Sequence, residues 1–383
     1  MTSKREIPCT IMRGGTSKGI FIMKENLPQD PSLKDKVILA LFGSPDMRQI
    51  DGLGGADSLT SKLAIISCSR DKGIDIEYTF GAVGIAEPFV DYSANCGNIS
   101  SAVGPFAIEK GLVPPVGPFT TVKILNTNTQ RMIHAKVPVK EGKVVTVGDF
   151  WVDGVPTPGA EIKLTFFDPG GPFTGKLLPT EKERDWIKIT GKKIPITIID
   201  AGNPTAFVSA RDLSLKGIEL PDEINAAKHL LGLLEEIRQE VAHMTRIGLS
   251  PDGRVSPSVP KVAVVGSPES YEGINRKKVG AHEINLVSRI TAMRKIHKAY
   301  PVTGAIPTAA AAKIEGSVVH EVVQNLAGNE VRIGHPSGIM RVETRLRKDG
   351  SQFIFESCTI GRTARLLMDG IAYVPEHIPL GAS

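Results

Sequence analysis

The chain has 383 residues and a formal net charge of +5, and 41% of its residues are hydrophobic. This length exceeds the size at which one hydrophobic core usually keeps growing, so two domains are expected. The mild charge argues against a nucleic-acid partner, and no apolar run approaches the roughly 18 residues of a membrane helix. The first residues carry no signal-peptide pattern. We therefore expect a globular, cytoplasmic protein without a nucleic-acid or membrane partner.

Strands and helices are both predicted along the chain, without the regular alternation of a dinucleotide-binding fold. The predicted strands, in chain order, are 6–12, 19–23, 63–69, 75–80, 120–125, 162–167, 194–200, 261–265, 331–333 and 353–357. The predicted helices are 32–42, 97–108, 222–247, 286–299 and 304–314. The sequence therefore indicates the α+β class.

An internal repeat suggests that the chain consists of two similar halves. "IPCTIMRGG" (7–15) aligns with "IPITIIDAG" (194–202), and "FIMKENL" (21–27) aligns with "FVSARDL" (207–213). Farther on, the segment from Ser44 to the strand 62–67 matches the segment from Ser250 to the strand 261–266. Because the order and spacing are preserved, we predict domains 1–185 and 186–383, and we allow the last strand to return to the first domain.

The cysteines and histidines do not form a metal-binding pattern. Cys9, Cys68, Cys96 and Cys358 lie far apart without CxxC spacing, so neither a disulfide framework nor a zinc site is expected. "HEVVQ" (320–324) lacks the second histidine of a zinc protease. "GGPFTGKL" (170–177) has leucine in place of the hydroxyl residue of a phosphate loop. We therefore expect free thiols and no metal.

Cys96 stands directly before Gly97 and Asn98 at the start of an apolar helix in "DYSANCGNISSAVGPFAIEKG" (91–111). A helix start has unpaired N–H groups and a partial positive charge, which favour an anion or a thiolate. Ile99, Val103, Phe106 and Ala107 form an apolar stripe along this helix, and Pro105 is expected to kink or shorten it. The alternative is that Cys96 is an ordinary core residue.

A second helix with small residues at its start is predicted in "YPVTGAIPTAAAAKIEG" (300–316). Two helix N-termini that face one cleft would bind a substrate with several carboxylates. Alanine-rich helices are also simply well packed, so both interpretations stay open.

Lys62 separates the turn-rich run "DGLGGADSLTS" from an apolar strand. Lysine at a strand start is commonly solvated, but a lysine in a cleft can act as a proton shuttle. "RGGTSKG" (13–19) has glycines and hydroxyls suited to an anion, although a flexible turn between two strands explains it equally well.

Several segments together resemble the 2-methylaconitate isomerase family, which includes methylitaconate isomerases and has the diaminopimelate epimerase-like fold. They are "MRGGTSKG" (12–19), "DGLGGADSLTSKLAII" (51–66), "DYSANCGNISSAVGPFAI" (91–108), "DAGNPTAFV" (200–208), "VSRITAMRKIHKAYPVTGAIPTAAAA" (287–312), "RIGHPSG" (332–338) and "RTARLLMDGIAYVP" (362–375). The resemblance covers nearly the whole chain. The sequences of these segments are most similar to the methylitaconate isomerase branch of the family.

This resemblance implies two pseudo-symmetric domains, each a mostly antiparallel, barrel-like sheet around a central helix, with the active site between them. It also implies that Lys62 and Cys96 are the catalytic pair. The second cysteine that racemases carry at the second helix start is absent, since residues 303–308 contain none. A symmetric two-thiol epimerisation is therefore disfavoured.

The implied reaction shifts a carbon–carbon double bond in an unsaturated di- or tricarboxylic acid by 1,3-proton transfer, without a cofactor. 3-Methylitaconate is the first choice of substrate. 2-Methylaconitate or aconitate isomerisation, 4-oxalomesaconate tautomerisation, amino-acid epimerisation and carboxylate binding without catalysis are the alternatives, and a homo-oligomer is left open. His297 is assigned to packing as readily as to the site. The expected substrate-binding residues are Arg13, Gly15, Thr16, Ser17, Ser58, Gly97, Asn98, Asn203, Thr303, Gly304, Ala305, His335 and Ser337.

Overall fold

A computed structural model of the protein describes residues 4–350 and 352–375. The strands are β1 (Lys4–Gly14), β2 (Ser17–Met23), β3 (Lys62–Cys68), β4 (Ile76–Val83), β5 (Val90–Asp91), β6 (Phe119–Asn126), β7 (Arg131–Lys140), β8 (Lys143–Val144), β9 (Ile162–Phe167), β10 (Asp185–Ile189), β11 (Lys192–Ile199), β12 (Thr205–Ser209), β13 (Lys261–Gly266), β14 (Tyr271–Glu272), β15 (Lys278–Val279), β16 (Leu286–Ala292), β17 (Lys295–Ile296), β18 (Glu330–His335), β19 (Gly338–Asp349), β20 (Gln352–Arg362) and β21 (Ala364–Pro375). The α-helices are α1 (Pro31–Phe42), α2 (Gly97–Glu109), α3 (Pro221–Ala226), α4 (Lys228–Thr245), α5 (Val302–Lys313) and α6 (Val318–Val322).

The chain divides into two compact units. The first comprises the described parts of Met1–Trp151, Thr157–Leu164 and Arg362–Ser383, and the second comprises Val152–Pro156 and the described parts of Thr165–Gly361. The predicted boundary at residue 185 lies inside the second unit, and the outer ends of both predicted domains lie outside the described residues. No helix among the described residues is long and apolar enough to cross a bilayer.

The first unit is a mostly antiparallel sheet around α2. Neighbouring strands follow the order β21, β1, β2, β3, β4, β6 and β7, and only the β2–β3 and β4–β6 pairs are parallel. Helix α2 contacts all of these strands. Every residue from Gly97 to Ile108 is buried, including the polar Asn98, Ser100 and Ser101, so the helix is enclosed on all sides rather than along one stripe. Pro105 lies inside α2 without ending it, so the expectation that it would shorten the helix is wrong.

The second unit repeats this topology. Its strands follow the order β10, β11, β12, β13, β16, β18, β19 and β20, and only β12–β13 and β16–β18 are parallel. Helix α5 is buried from Val302 to Ala312. Lys62 at the start of β3 pairs with Gly19, and Lys261 at the start of β13 pairs with Thr205 in the same parallel arrangement. The predicted α+β class and its two similar sheet-and-helix halves are confirmed.

Two of the predicted helices differ in the structure. In the segment 286–299, predicted as a helix, residues 286–296 form the β16–β17 hairpin, in which Ala292 pairs with Lys295. Met293 and Arg294 both have positive φ angles, as a two-residue hairpin turn requires. Burial of β16 on both faces removes the strand alternation that would have distinguished it from a helix. The predicted helix 222–247 is interrupted at Ala227, where the backbone is not helical.

Candidate active site

Lys62 and Cys96 lie against each other in the first unit. Lys62 is the first residue of β3 and is half-buried, and its Nζ donates a hydrogen bond to Cys96 Sγ at 3.1 Å. The same Nζ lies 5.6 Å from the centre of the Phe80 ring. These contacts differ from those of a fully solvated lysine, and the catalytic role of Lys62 stays a prediction.

Cys96 is the N-cap residue of α2, directly before the first helical residue Gly97. It is 7% exposed, its backbone is extended, and its side chain makes no hydrogen bond that caps the helix. The backbone N–H of Ser100 donates to the Cys96 carbonyl at 2.9 Å and starts the helical hydrogen-bond pattern. The amides of Gly97, Asn98 and Ile99 precede this bond, so they are the N–H groups that a helix start leaves for an anion.

The surroundings of Cys96 are suited to proton transfer. Burial, and then the nearby Cys96 side chain, hold the pKa of the Tyr78 hydroxyl well above its usual range, so Tyr78 stays a neutral neighbour. The distance of 3.1 Å between Nζ and Sγ allows a proton to pass directly between amine and thiol. The helix N-terminus stabilises negative charge on the sulfur or on a ligand beside it. The pair can therefore remove a proton at one atom and supply one at another.

The predicted binding turn between β1 and β2 packs against the first turn of α2. Thr16 Oγ1 accepts a hydrogen bond from Asn98 Nδ2 at 3.1 Å. Gly15 has a φ of 49°, and a Cβ placed on it would lie 2.3 Å from Asn98 Oδ1, so only glycine fits. Arg13 Nη1 donates to the Gly15 carbonyl at 3.0 Å and to both oxygens of Thr363, so this guanidinium braces the turn.

Ser17 has its side chain on the α2 side of β2. It pairs across the hairpin with Gly14, whose added Cβ would meet the Asn98 carbonyl oxygen at 2.3 Å. Because directly opposite residues project to the same face of a sheet, Ser17 Oγ also faces α2. This hydroxyl is buried and has no hydrogen-bond partner among the described residues. Ser58 is half-buried in the loop before β3 and stays a predicted binding residue.

The remaining predicted residues lie in the second unit, around the start of α5 and in the β18–β19 turn. Asn203 Nδ2 donates to Thr303 Oγ1 at 2.9 Å, and the Asn203 N–H donates to the Thr303 carbonyl at 3.0 Å. The amides of Gly304 and Ala305, which were expected to bind a carboxylate, both donate to the Pro301 carbonyl at 2.9 Å.

His335 and Ser337 are buried in that turn. The backbone N–H of Ser337 donates to His335 Nδ1 at 3.2 Å, and Ser337 Oγ donates to the Lys298 carbonyl at 2.7 Å. His297 Nδ1 accepts from the Ala299 N–H at 3.0 Å, which agrees with a packing role for this histidine. No three histidine, cysteine, aspartate or glutamate side chains in residues 4–350 and 352–375 are grouped as metal ligands.

Sequence reasoning missed two residues of the first unit that contact predicted site residues or their neighbours. Gln49 is buried, and its Oε1 accepts hydrogen bonds from the Ala56 N–H at 2.8 Å and from Ser61 Oγ at 2.6 Å. It therefore holds the residue that precedes Lys62. Arg362 donates from Nε to Asn98 Oδ1 at 3.3 Å. A lone glutamine in a glycine-rich loop has no sequence signal, and Arg362 is 264 residues from Asn98.

Comparison with known proteins identifies relatives that match nearly the whole chain. The chain is 44% identical over 380 residues to 3-methylitaconate isomerase of Eubacterium barkeri, and the aligned region covers 98% of each chain. It is 38% identical over 388 residues to 2-methyl-aconitate isomerase of Shewanella oneidensis, which covers 97% of each. The crystal structure of a methylitaconate-delta-isomerase matches with a TM-score of 0.79 at 42% identity, covering 99% of this chain and 98% of that one.

These similarities extend over the whole chain, and the relatives are isomerases, so this protein is an isomerase. The model of the PrpF protein family matches residues 4–375. The chain belongs to the PrpF protein family.

Proposed function

We propose that the protein shifts a carbon–carbon double bond in an unsaturated dicarboxylic acid, converting 3-methylitaconate to 2,3-dimethylmaleate. The observation that carries this proposal is the 3.1 Å contact between Lys62 Nζ and Cys96 Sγ at the start of α2. Two proton-transferring groups beside a helix N-terminus are what a 1,3-proton shift of a carboxylic acid needs.

The proposed reaction balances without an oxidant or reductant. One member of the pair removes the proton from the carbon that bears the methyl group and a carboxylate, and the electrons of that C–H bond form the new double bond. The electrons of the old double bond take a proton at the methylene carbon, which becomes a methyl group. A proton then crosses between Sγ and Nζ and restores both groups, whichever of them acted first.

The charge that develops during this shift needs stabilisation. Removal of the proton beside a carboxylate spreads negative charge onto the carboxylate oxygens. We infer that these oxygens bind at the open amides of Gly97 and Asn98, with the Thr16 and Ser17 hydroxyls beside them. The predicted binding residues of the second unit stay predictions for the other end of the substrate.

The choice of acid rests on similarity to the Eubacterium barkeri enzyme. Isomerisation of 2-methylaconitate is the second candidate, because an enzyme named for it is 38% identical. Tautomerisation of 4-oxalomesaconate is a further reaction of the same type. Purified protein is incubated with each acid, and the ultraviolet absorbance of the conjugated double bond is followed. The acid with the highest kcat/KM identifies the substrate, and turnover of methylaconitate alone would overturn the first choice.

Solvent deuterium exchange tests the catalytic pair. In D₂O, the native protein is expected to incorporate deuterium into the new methyl group of the product. Lys62→Ala is expected to abolish this incorporation, and Cys96→Ser to reduce it to an extent that depends on the substrate. The exposed residues Lys72 and Cys68 supply matched controls, Lys72→Ala and Cys68→Ser, which should exchange at the native rate.

The same experiment separates catalysis from the alternatives. A carboxylate-binding protein without catalysis would bind the acid but exchange no deuterium. An amino-acid epimerase would racemise an amino acid and leave the unsaturated acids unchanged. Full activity of both Lys62→Ala and Cys96→Ser would contradict the proposed mechanism.

A further inference from the structure

Arg362 places a buried positive charge beside the first turn of α2. The residue ends β20 and belongs to the first unit, and it is 5% exposed. Its Nε donates a hydrogen bond to Oδ1 of Asn98 at 3.3 Å. Asn98 lies two residues after Cys96. Burial lowers the pKa of this guanidinium to about 10, so Arg362 remains charged at neutral pH.

The contact with Arg362 determines how Asn98 is oriented. Because the guanidinium donates to Oδ1, the amide nitrogen of Asn98 is the end that reaches Thr16 Oγ1, at 3.1 Å. The turn also fits closely around the arginine, since a Cβ on Gly15 would lie 3.2 Å from Arg362 Cδ. Arg362, Asn98 and the β1–β2 turn therefore form one packed group.

A second observation indicates that this group faces a ligand. Ser17 is 1% exposed and its hydroxyl faces α2, yet it has no hydrogen-bond partner among the described residues. A buried hydroxyl without a partner is costly. A carboxylate at the open amides of α2 would accept a hydrogen bond from this hydroxyl and would lie near the positive charge of Arg362.

We propose that Arg362 is a positioning residue for the carboxylate that binds at the start of α2. It orients Asn98 and supplies positive charge beside the carboxylate that binds at the start of α2. This inference rests on the proposed function in its use of a carboxylic acid as the substrate. Arg362 does not transfer the proton, since Lys62 and Cys96 do so.

Two variants separate the charge of Arg362 from its hydrogen bond. Arg362→Gln removes the charge and keeps an N–H that can reach Asn98, whereas Arg362→Lys keeps the charge on a different geometry. Arg365→Gln, an exposed position three residues away, controls for the loss of one positive charge. Steady-state kinetics with the unsaturated acid give KM and kcat. Inhibition by succinate gives the affinity of the site for a carboxylic acid that is not turned over.

For Arg362→Gln we expect KM to rise about 10- to 100-fold, the range for loss of a charge-assisted contact, with a smaller change in kcat. The inhibition constant of succinate should rise by a similar factor. Arg362→Lys should recover part of both effects, and Arg365→Gln should match the native protein. A native KM and a native inhibition constant for succinate in Arg362→Gln would overturn the inference. Equal losses in the Gln and Lys variants, together with a lower Tm in both, would assign Arg362 a structural role and also overturn it.

The binding measurement keeps this inference separate from the catalytic proposal. If the native protein isomerises none of the acids, succinate binding is measured by calorimetry in the native protein and in Arg362→Gln. Loss of succinate binding in the variant would support the role of Arg362 even though the catalytic proposal had failed. Unchanged binding would overturn that role.

Discussion

Replacing Gly15 with alanine should both destabilise the protein and weaken substrate binding. Gly15 has a positive φ, which costs an L-residue about 1–2 kcal/mol. The added Cβ would also lie 2.3 Å from Asn98 Oδ1, so the Asn98 side chain must move by about 1 Å to reach ordinary van der Waals contact. That movement lengthens the hydrogen bonds of Asn98 with Thr16 and Arg362.

The expected magnitude follows from these terms. Loss of the two hydrogen bonds costs about 1–3 kcal/mol, in addition to about 1 kcal/mol for the backbone conformation. Gly111→Ala is the matched control, because Gly111 also has a positive φ, of 70°, but nothing lies within 4 Å of an added Cβ. We expect a free energy of unfolding about 1 kcal/mol lower for Gly111→Ala and about 2–4 kcal/mol lower for Gly15→Ala.

Urea unfolding measures both stabilities, and steady-state kinetics measure KM. Gly15→Ala should raise KM, because Asn98 and the start of α2 are displaced, whereas Gly111→Ala should leave KM unchanged. Equal destabilisation by the two substitutions, with native KM in both, would refute the packing of the turn against Asn98.

Three further predictions follow from buried groups. Gln49→Ala should lower the free energy of unfolding by about 1–3 kcal/mol and reduce kcat, because the hydroxyl of Ser61, which precedes Lys62, loses its acceptor. Urea unfolding and steady-state kinetics measure the two effects, and a native kcat would contradict the prediction. Burial raises the pKa of Cys358 to about 12, so iodoacetamide at pH 8 should label the exposed Cys68 and leave Cys358 unmodified. A mass-spectrometric peptide map measures the labelling, and rapid labelling of both cysteines would contradict the prediction. Burial also raises the pKa of Tyr300 from 10.0 to about 12, so its contribution to stability is complete below pH 10 and is lost as the pH rises toward 12. Unfolding curves across that range should show a decline in the free energy of unfolding that Tyr300→Phe reduces. An unchanged decline in this variant would exclude Tyr300 as its source.

Much of this architecture could be predicted from the sequence because its signals are local. The apolar run after Cys96 predicts α2, and the observed helix begins at Gly97. The repeat aligns Lys62 with Lys261, and the structure has both as the first residues of corresponding strands. Strand and helix propensities act over a few residues, so they remain legible without knowledge of the partners.

Other features depended on which distant segments pack together. Residues 286–299 have apolar spacing that suits a helix, but pairing with β13 and the turn at Met293 and Arg294 makes them a hairpin. For a segment that is buried on both faces, tertiary hydrogen bonding decides between strand and helix, since periodicity no longer does.

The sequence by itself determined the composition of the site: an amine at a strand start, a thiol at a helix start and a glycine turn with hydroxyls. Only the tertiary structure decided that Lys62 Nζ reaches Cys96 Sγ, and that Arg362 lies beside Asn98. The physical reason is that strand pairing and the burial of α2 inside the sheet bring together residues that are 34 and 264 positions apart. Local sequence carries no record of such distances, because they result from the packing of the whole unit.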